Sequence, residues 1–315
     1  MTVIFFESVL NTLIAGLMIG AIYGLMCVGL AMIFGLMRVI NFAQGEFFML
    51  GMYGTFYLVT WLGIGGLLGP AVAAVIASVA VYALGALIHR GLLSKATGIA
   101  VAGTEGDGHY PQLILTLGVS LVVANGALMI FGNMPTVIKS EFSSSAWTLG
   151  PYGGDDGMML FINEARGAAV MMSVLVTLAV YYFISRTTLG KTLRAAADNP
   201  EAATYMGIDV QRSHRISFAV GAAITAVAGG LVATYYPFQP YVGLEFVVIM
   251  YAGVVLGGLG SIMGAFWGGL IIGVVQQMST LVLPMQLQNG MIFVLFLAVI
   301  LFRPQGLFGK NVERA

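Results

Sequence analysis

Few residues of this chain have the types and spacing that chemistry requires. Gly190-Lys191-Thr192 has the ending of a phosphate-binding loop. A P-loop, however, needs a glycine five residues earlier, where Ser185 stands, and a preceding strand, where an apolar stretch runs instead. ATP binding by this chain is therefore not expected, and nucleotide energy, if used, belongs to a partner. His89, His109 and His214 are scattered, with no metal-ligand spacing, and no serine nucleophile elbow occurs. The reading is of a protein that is not an enzyme and holds no metal or cofactor. What remains is a set of polar groups embedded in apolar sequence: Asn41, Gln44, Glu46, Gln239 and Glu245, with Gln276 and Gln277. A carboxylate or amide inside a bilayer usually faces a cavity or a partner, so Asn41, Gln44, Glu46, Gln239 and Glu245 are candidates for a substrate pathway or gate. Two plainer roles compete. A carboxylate in the first turn of a helix is favoured by the helix dipole, and amides hydrogen-bond between membrane helices.

The elements that must position these groups follow from composition. Hydrophobic residues make up 59% of the 315 and charged residues 8%, and mean hydropathy is +0.96. Only a polytopic membrane protein has such a balance. With 43 glycines, close helix packing is expected, because small residues let backbones approach where leaving lipid gains apolar side chains little. A net charge of zero argues against a nucleic-acid surface, and the lone Cys27 excludes an intrachain disulfide. The start, MTVIFFESVLNTLIAG, lacks the basic region of a signal peptide, so no cleavage is expected.

The expected fold is all-α, one transmembrane domain over residues 1–315, with about 8–10 spans and some broken or half-spanning helices. Nine apolar runs are read, from about Val9–Phe34 to Met291–Phe302. His89 to Tyr110 reads as a flexible cytoplasmic loop. Gly132 to Arg166, with four acidic residues against Lys139 and Arg166, belongs to the opposite side. Nine spans place the N-terminus outside and the C-terminus, with Arg303, Lys310 and Arg314, in the cytoplasm. Phe47–Leu62 and Phe246–Leu259 are short, glycine-interrupted runs, each opened by a Glu-Phe pair, and this topology starts them on opposite membrane faces. Paired short, interrupted segments point to inverted repeats and a substrate route.

The polar island Ser185 to Arg215 carries Arg186, Lys191, Arg194, Arg212 and Arg215, so the positive-inside rule makes it cytoplasmic. Within it a two-turn helix is legible: Asn199 as N-cap, Pro200 at the first helical position, Glu201 in the first turn and Gly207 as the left-handed stop. So short a helix is not stable alone and must dock on something, for which a cytosolic partner is the natural candidate.

Four segments resemble the membrane permeases of ABC importers for branched-chain amino acids: GLMRVINFAQGEFFMLGMYG (35–54), LGKTLRAAADNPEAATYMGID (189–209), GGLGSIMGAFWGGLIIGVVQ (257–276) and LFRPQGLFG (301–309). The likeness covers nearly the whole chain. It implies an inner-membrane permease subunit that pairs with a second homologous permease chain, two cytoplasmic ATPase subunits and a periplasmic substrate-binding protein. Glu201, Ala202 and Ala203 followed by Gly207 are similar to the EAA-and-glycine pattern of the helix that couples to the ATPase, although the isoleucine and leucine-proline that close that pattern elsewhere are missing. By this resemblance Arg194, Asn199, Pro200, Glu201, Ala202, Ala203, Gly207 and Ile208 are coupling residues. Similar permeases move urea, short amides or aromatic acids. A secondary transporter or channel is the alternative of another class, resting on the repeat hint and the embedded carboxylates alone.

Overall fold

The computed structural model describes residues 2–64, 66–95, 110–138, 145–152, 158–284, 287–303 and 305–309. It opens on α1 (Thr2–Met37), 36 residues of nearly unbroken apolar sequence. At 1.5 Å per residue such a helix is about 54 Å long, well beyond a hydrocarbon core of about 30 Å. It starts earlier and ends later than the apolar run Val9–Phe34 suggests. After α1 come α2 (Gln44–Leu62), α3 (Gly69–Ile88) and α4 (Tyr110–Phe131). A β hairpin follows, then α5 (Glu164–Arg186), two short helices α6 (Thr188–Asp198) and α7 (Pro200–Tyr205), and α8 (Val210–Val232). The chain closes with α9 (Val242–Gly257), α10 (Ile262–Ser279) and α11 (Gln288–Phe302).

Six of these helices are long and apolar enough to cross a bilayer. α9 and α11 are apolar but shorter, and α2 has 19 residues. Each of the nine expected runs carries a helix, and of the two shortest, α9 and α11, the sequence marked only α9. α1 and α8 form the centre. α8 buries fifteen of its side chains or glycines against its neighbours, whereas α4, α5 and α11 turn large apolar groups such as Val122, Met129, Leu175 and Leu297 outward. With so few charges on those faces, the solvent they suit is lipid.

α1 and α10 run antiparallel with backbones touching. A Cβ on Gly20 would lie 2.9 Å from Leu270 Cα, and one on Gly269 would lie 2.6 Å from the backbone of Tyr23 and Gly24. Only glycine permits that approach, which replaces side-chain interdigitation with a long backbone contact.

Two stretches differ from expectation. Within the mostly helical fold, the stretch Gly132 to Arg166, read only for its charge, holds a hairpin, β1 (Ala146–Tyr152) paired antiparallel with β2 (Met158–Asn163), Ala146 opposite Asn163. It is fastened to the start of α1: Asn11 Nδ2 donates to the Met159 carbonyl (3.0 Å), Phe161 N–H donates to Asn11 Oδ1 (3.0 Å), and Met159 N–H donates to Glu7 Oε1 (3.3 Å). Asn163 then caps α5 by accepting from Arg166 N–H (3.0 Å). The stretch expected to be a loop from His89 is helical to Lys95, with a π turn at His89–Leu93. The rest of that stretch, 96–109, lies outside the described residues. α5 runs parallel to α1, Ser173 Oγ donating to the Ala21 carbonyl (2.6 Å). The bundle therefore has a hairpin end, where α1 and α5 begin, and a loop end, where both finish and α6 and α7 lie.

Candidate functional site

At the loop end, α6 is set by Thr187, whose hydroxyl accepts from Gly190 N–H (3.0 Å), and it buries Gly190, Leu193 and Ala196. Gly190 is there for contact, since a Cβ would lie 2.5 Å from the Ile184 carbonyl oxygen. The phosphate-loop likeness at 190–192 is thus a packing feature. Arg194 is exposed and reaches back to the Ser185 carbonyl (3.4 Å).

α7 forms as the sequence dictates. Asn199 is extended (φ −145°, ψ 98°) and its side chain accepts from Ala202 N–H (3.0 Å), with Pro200 at the first position and Glu201 in the first turn. Gly207 stops it at φ 80°. Its N–H donates to the Thr204 carbonyl (3.0 Å), and Ile208 N–H donates to the Ala203 carbonyl (2.9 Å). That pair of bonds is a Schellman motif, which satisfies the last carbonyls and needs a left-handed residue where Gly207 stands. Asp209 at once caps α8, accepting from Arg212 N–H (2.9 Å). Ala203 is buried, while Glu201 and Ala202 face out. Sequence reading missed Tyr205 and Met206, which are 88% and 82% exposed at the tip. Their signal was two large side chains in a polar loop, just before the stop glycine.

The second cluster lies where α2 and α9 begin. Residues 38–43 are not helical. Asn41 Oδ1 accepts from Ala43 N–H (3.1 Å), and Asn41 Nδ2 donates to Gln44 Oε1 (3.0 Å). Gln44 Nε2 donates to the Gly221 carbonyl (3.2 Å) and to Thr225 Oγ1 on α8. Thr116 of α4 clips the same stretch, donating to the Ile40 carbonyl (3.3 Å) and accepting from Phe42 N–H (3.3 Å). Asn41 and Gln44 therefore spend hydrogen bonds on holding the entry to α2. Glu46, 1% exposed, sits in the first turn, one carboxylate oxygen accepting from Ser120 Oγ (3.0 Å) while Oε2 has no partner among the described residues.

Glu245 is also in a first turn but exposed, accepting from Tyr236 O–H (3.3 Å), and Gln239 is exposed on the approach to α9. The opposite-face expectation for the two starts is overturned. A Cβ on Gly243 would lie 2.7 Å from the Gly45 backbone, and the Phe48 and Phe246 rings are 4.5 Å apart, so the first turns of α2 and α9 are in contact. The non-helical lead-ins, 38–43 and 233–241, let both helices start at one level. The two carboxylates nonetheless diverge, Glu46 toward α4 and Glu245 toward Tyr236.

A bundle of apolar helices with a short capped helix at one end and two helix starts meeting inside it has the parts of a translocator. The family described as "Branched-chain amino acid transport system / permease component" matches residues 12–301, which takes in both clusters. The chain belongs to this family. It is the permease component of a branched-chain amino acid ABC importer, and hydrolysis of ATP falls to ATPase partners. The alternative of a secondary transporter or channel is thereby set aside.

Among relatives of this permease, the high-affinity branched-chain amino acid transport system permease protein LivH of Escherichia coli is 30% identical, over 97% of each chain. The corresponding protein BraD of Pseudomonas aeruginosa is 29% identical, again over 97% of each. A more partial likeness, 29% identity over 67% of this permease and 66% of the relative, joins it to the ribose import permease protein RbsC of Escherichia coli. No solved structure matches.

Proposed function

We propose that this permease moves leucine, isoleucine or valine across the bacterial inner membrane into the cytoplasm, driven through α7 by a cytoplasmic ATPase. The observation that carries the coupling is α7 itself, a capped helix whose buried Ala203 faces the bundle while Tyr205 and Met206 project from it. Tyrosine is a frequent anchor of protein interfaces, and methionine is enriched in them. Arg194, Asn199, Pro200, Glu201, Ala202, Gly207 and Ile208 build or flank that tip. The full complex would hold a second, homologous permease chain, two ATPases and a periplasmic substrate-binding protein. The substrate reading is supported by relatives that align end to end and are named for branched-chain amino acids. Import of labelled leucine by the reconstituted complex, with ribose, urea and phenylalanine as competitors, tests it; uptake of a competitor in place of leucine would refute it.

The loop end is assigned to the cytoplasm because five of thirteen Lys and Arg lie at 185–215. The N-terminus then lies outside and the C-terminus inside. Met134→Cys should react with a thiol reagent that cannot cross the membrane, and Tyr205→Cys should not; native Cys27 is fully buried and silent. The reverse pattern would invert the topology. The entry to α2, with Asn41, Gln44 and Glu46, is assigned as a support for the gate rather than as a direct ligand, and Gln239 and Glu245 as its counterpart at α9. A zwitterion presents a carboxylate that Glu46 or Glu245 would repel.

A further inference from the structure

At the loop end a cavity of about 240 Å³ opens between the last turns of α1, the lead-in to α2 and the last turns of α9. Leu30 and Phe34 line one side, Ile40 and Phe42 another, and Tyr251 and Val255 the third, the Phe42 and Tyr251 rings lying 5.8 Å apart. The exposed lining is apolar. Its volume is below the roughly 300–1,000 Å³ of pockets for drug-sized molecules, so a small ligand fits it.

Arg38 lies in the chain between two residues of the lining, Phe34 and Ile40. Its N–H donates to the carbonyl of the lining residue Phe34 (2.8 Å), and it lies two residues before Ile40. Arg38 is also the one non-glycine residue with positive φ among the described residues, at 54°. That region favours glycine, and a bulky side chain held there is sustained by something other than backbone preference. Arg38 is exposed, and its side chain makes no ion pair or hydrogen bond among the described residues. An exposed arginine close in the chain to residues that line a small apolar cavity suits an amino acid with an apolar side chain, the side chain in the cavity and the carboxylate on the guanidinium.

We propose that this cavity and Arg38 form a transit site for an apolar amino acid leaving the permease at the loop end. The inference rests on the amino-acid reading above. It does not use Glu46, and it gives the carboxylate of the zwitterion a cationic partner.

The test uses the reconstituted complex, with uptake normalised to assembled permease and ATPase. Arg38→Gly relieves the backbone and removes the charge, so a purely conformational role predicts unchanged or better function. The transit site predicts instead that Arg38→Gly and Arg38→Gln each lower leucine uptake about fivefold, the scale of an exposed charge pair, with Arg38→Lys much closer to wild type. In a second measurement Val255→Cys is labelled by a thiol reagent during turnover. Leucine should slow the labelling and ribose should not. Labelling equally slow with or without leucine would mean that lipid or a second permease chain fills the cavity, and would overturn the proposal. So would wild-type uptake by Arg38→Gly. Should the wild-type complex import no amino acid, the substrate reading fails and this site with it; wild-type import with indifferent variants removes the transit site alone.

Discussion

Replacing Gly207 separates the conformation of α7, the proposed coupling helix, from its contacts. Gly207 is exposed, sits at φ 80° and has open space where a Cβ would go, so no substitution there causes a clash. Only the backbone is perturbed. A left-handed conformation costs an ordinary L-residue about 1–2 kcal/mol, less for asparagine and more for a β-branched side chain. α7 is six residues long, and its end is held by the Gly207 and Ile208 hydrogen bonds to Thr204 and Ala203. A penalty of that size therefore falls on the whole helix rather than on one frayed turn. If the ATPase binds the formed helix, a loss of about 1–2 kcal/mol weakens docking roughly 5- to 30-fold. The expected order of ATPase affinity is Gly207 and Gly207→Asn together, then Gly207→Ala, then Gly207→Val. The assay is retention of ATPase by purified permease as its concentration is lowered, paired with uptake per ATP hydrolysed. Equal retention by the Asn and Val variants, or wild-type retention by Gly207→Val, would refute the claim that docking needs this stop.

Glu201→Arg should weaken the same docking in the same direction, because it reverses a charge that the helix N-terminus favours by about 0.3–1 kcal/mol; unchanged coupling would show that Glu201 is spectator surface. Gly20→Leu should abolish assembly, since its first side-chain carbon already meets the Leu270 backbone, and a stable, correctly inserted variant in size-exclusion chromatography would contradict the α1 and α10 contact. Glu46→Gln should lower uptake per assembled complex by more than about twofold, whereas the exposed Glu245→Gln stays within the range a small capping energy explains; losses below twofold in both would leave the gate assignment without support.

α7 could be read residue by residue because its determinants are local: a cap, a proline, a carboxylate and a glycine within nine positions. The apolar runs were legible for a similar reason, since length and hydropathy alone decide what crosses a bilayer. The hairpin was not, because the stretch from Gly132 to Arg166 was read for its charge, and what fixes the strands comes from Glu7 and Asn11, some 150 residues away. Charge also says on which side a loop lies but not how deep a helix begins. Hence the contact between Gly45 and Gly243 was invisible, although both Glu-Phe pairs were seen. Asn41 and Gln44 were singled out as embedded polar groups, yet only the coordinates show their hydrogen bonds spent on the fold. Arg38 stands out in the sequence only as a charge interrupting the apolar signal, and its further distinction is a backbone angle.

The backbone-to-backbone contact of α1 with α10 bears on how an importer of this kind changes shape. Packed side chains can slip past one another by exchanging rotamers, but glycines facing glycines have none to exchange. Sliding this pair by a residue would drive Leu270 and Phe266 into the surface of α1 where Gly20 and Gly24 now admit them. The two helices thus travel as a single strut. In an importer built on such a strut, bending would fall to the non-helical residues 38–43 and 233–241, just ahead of the first turns of α2 and α9 that touch.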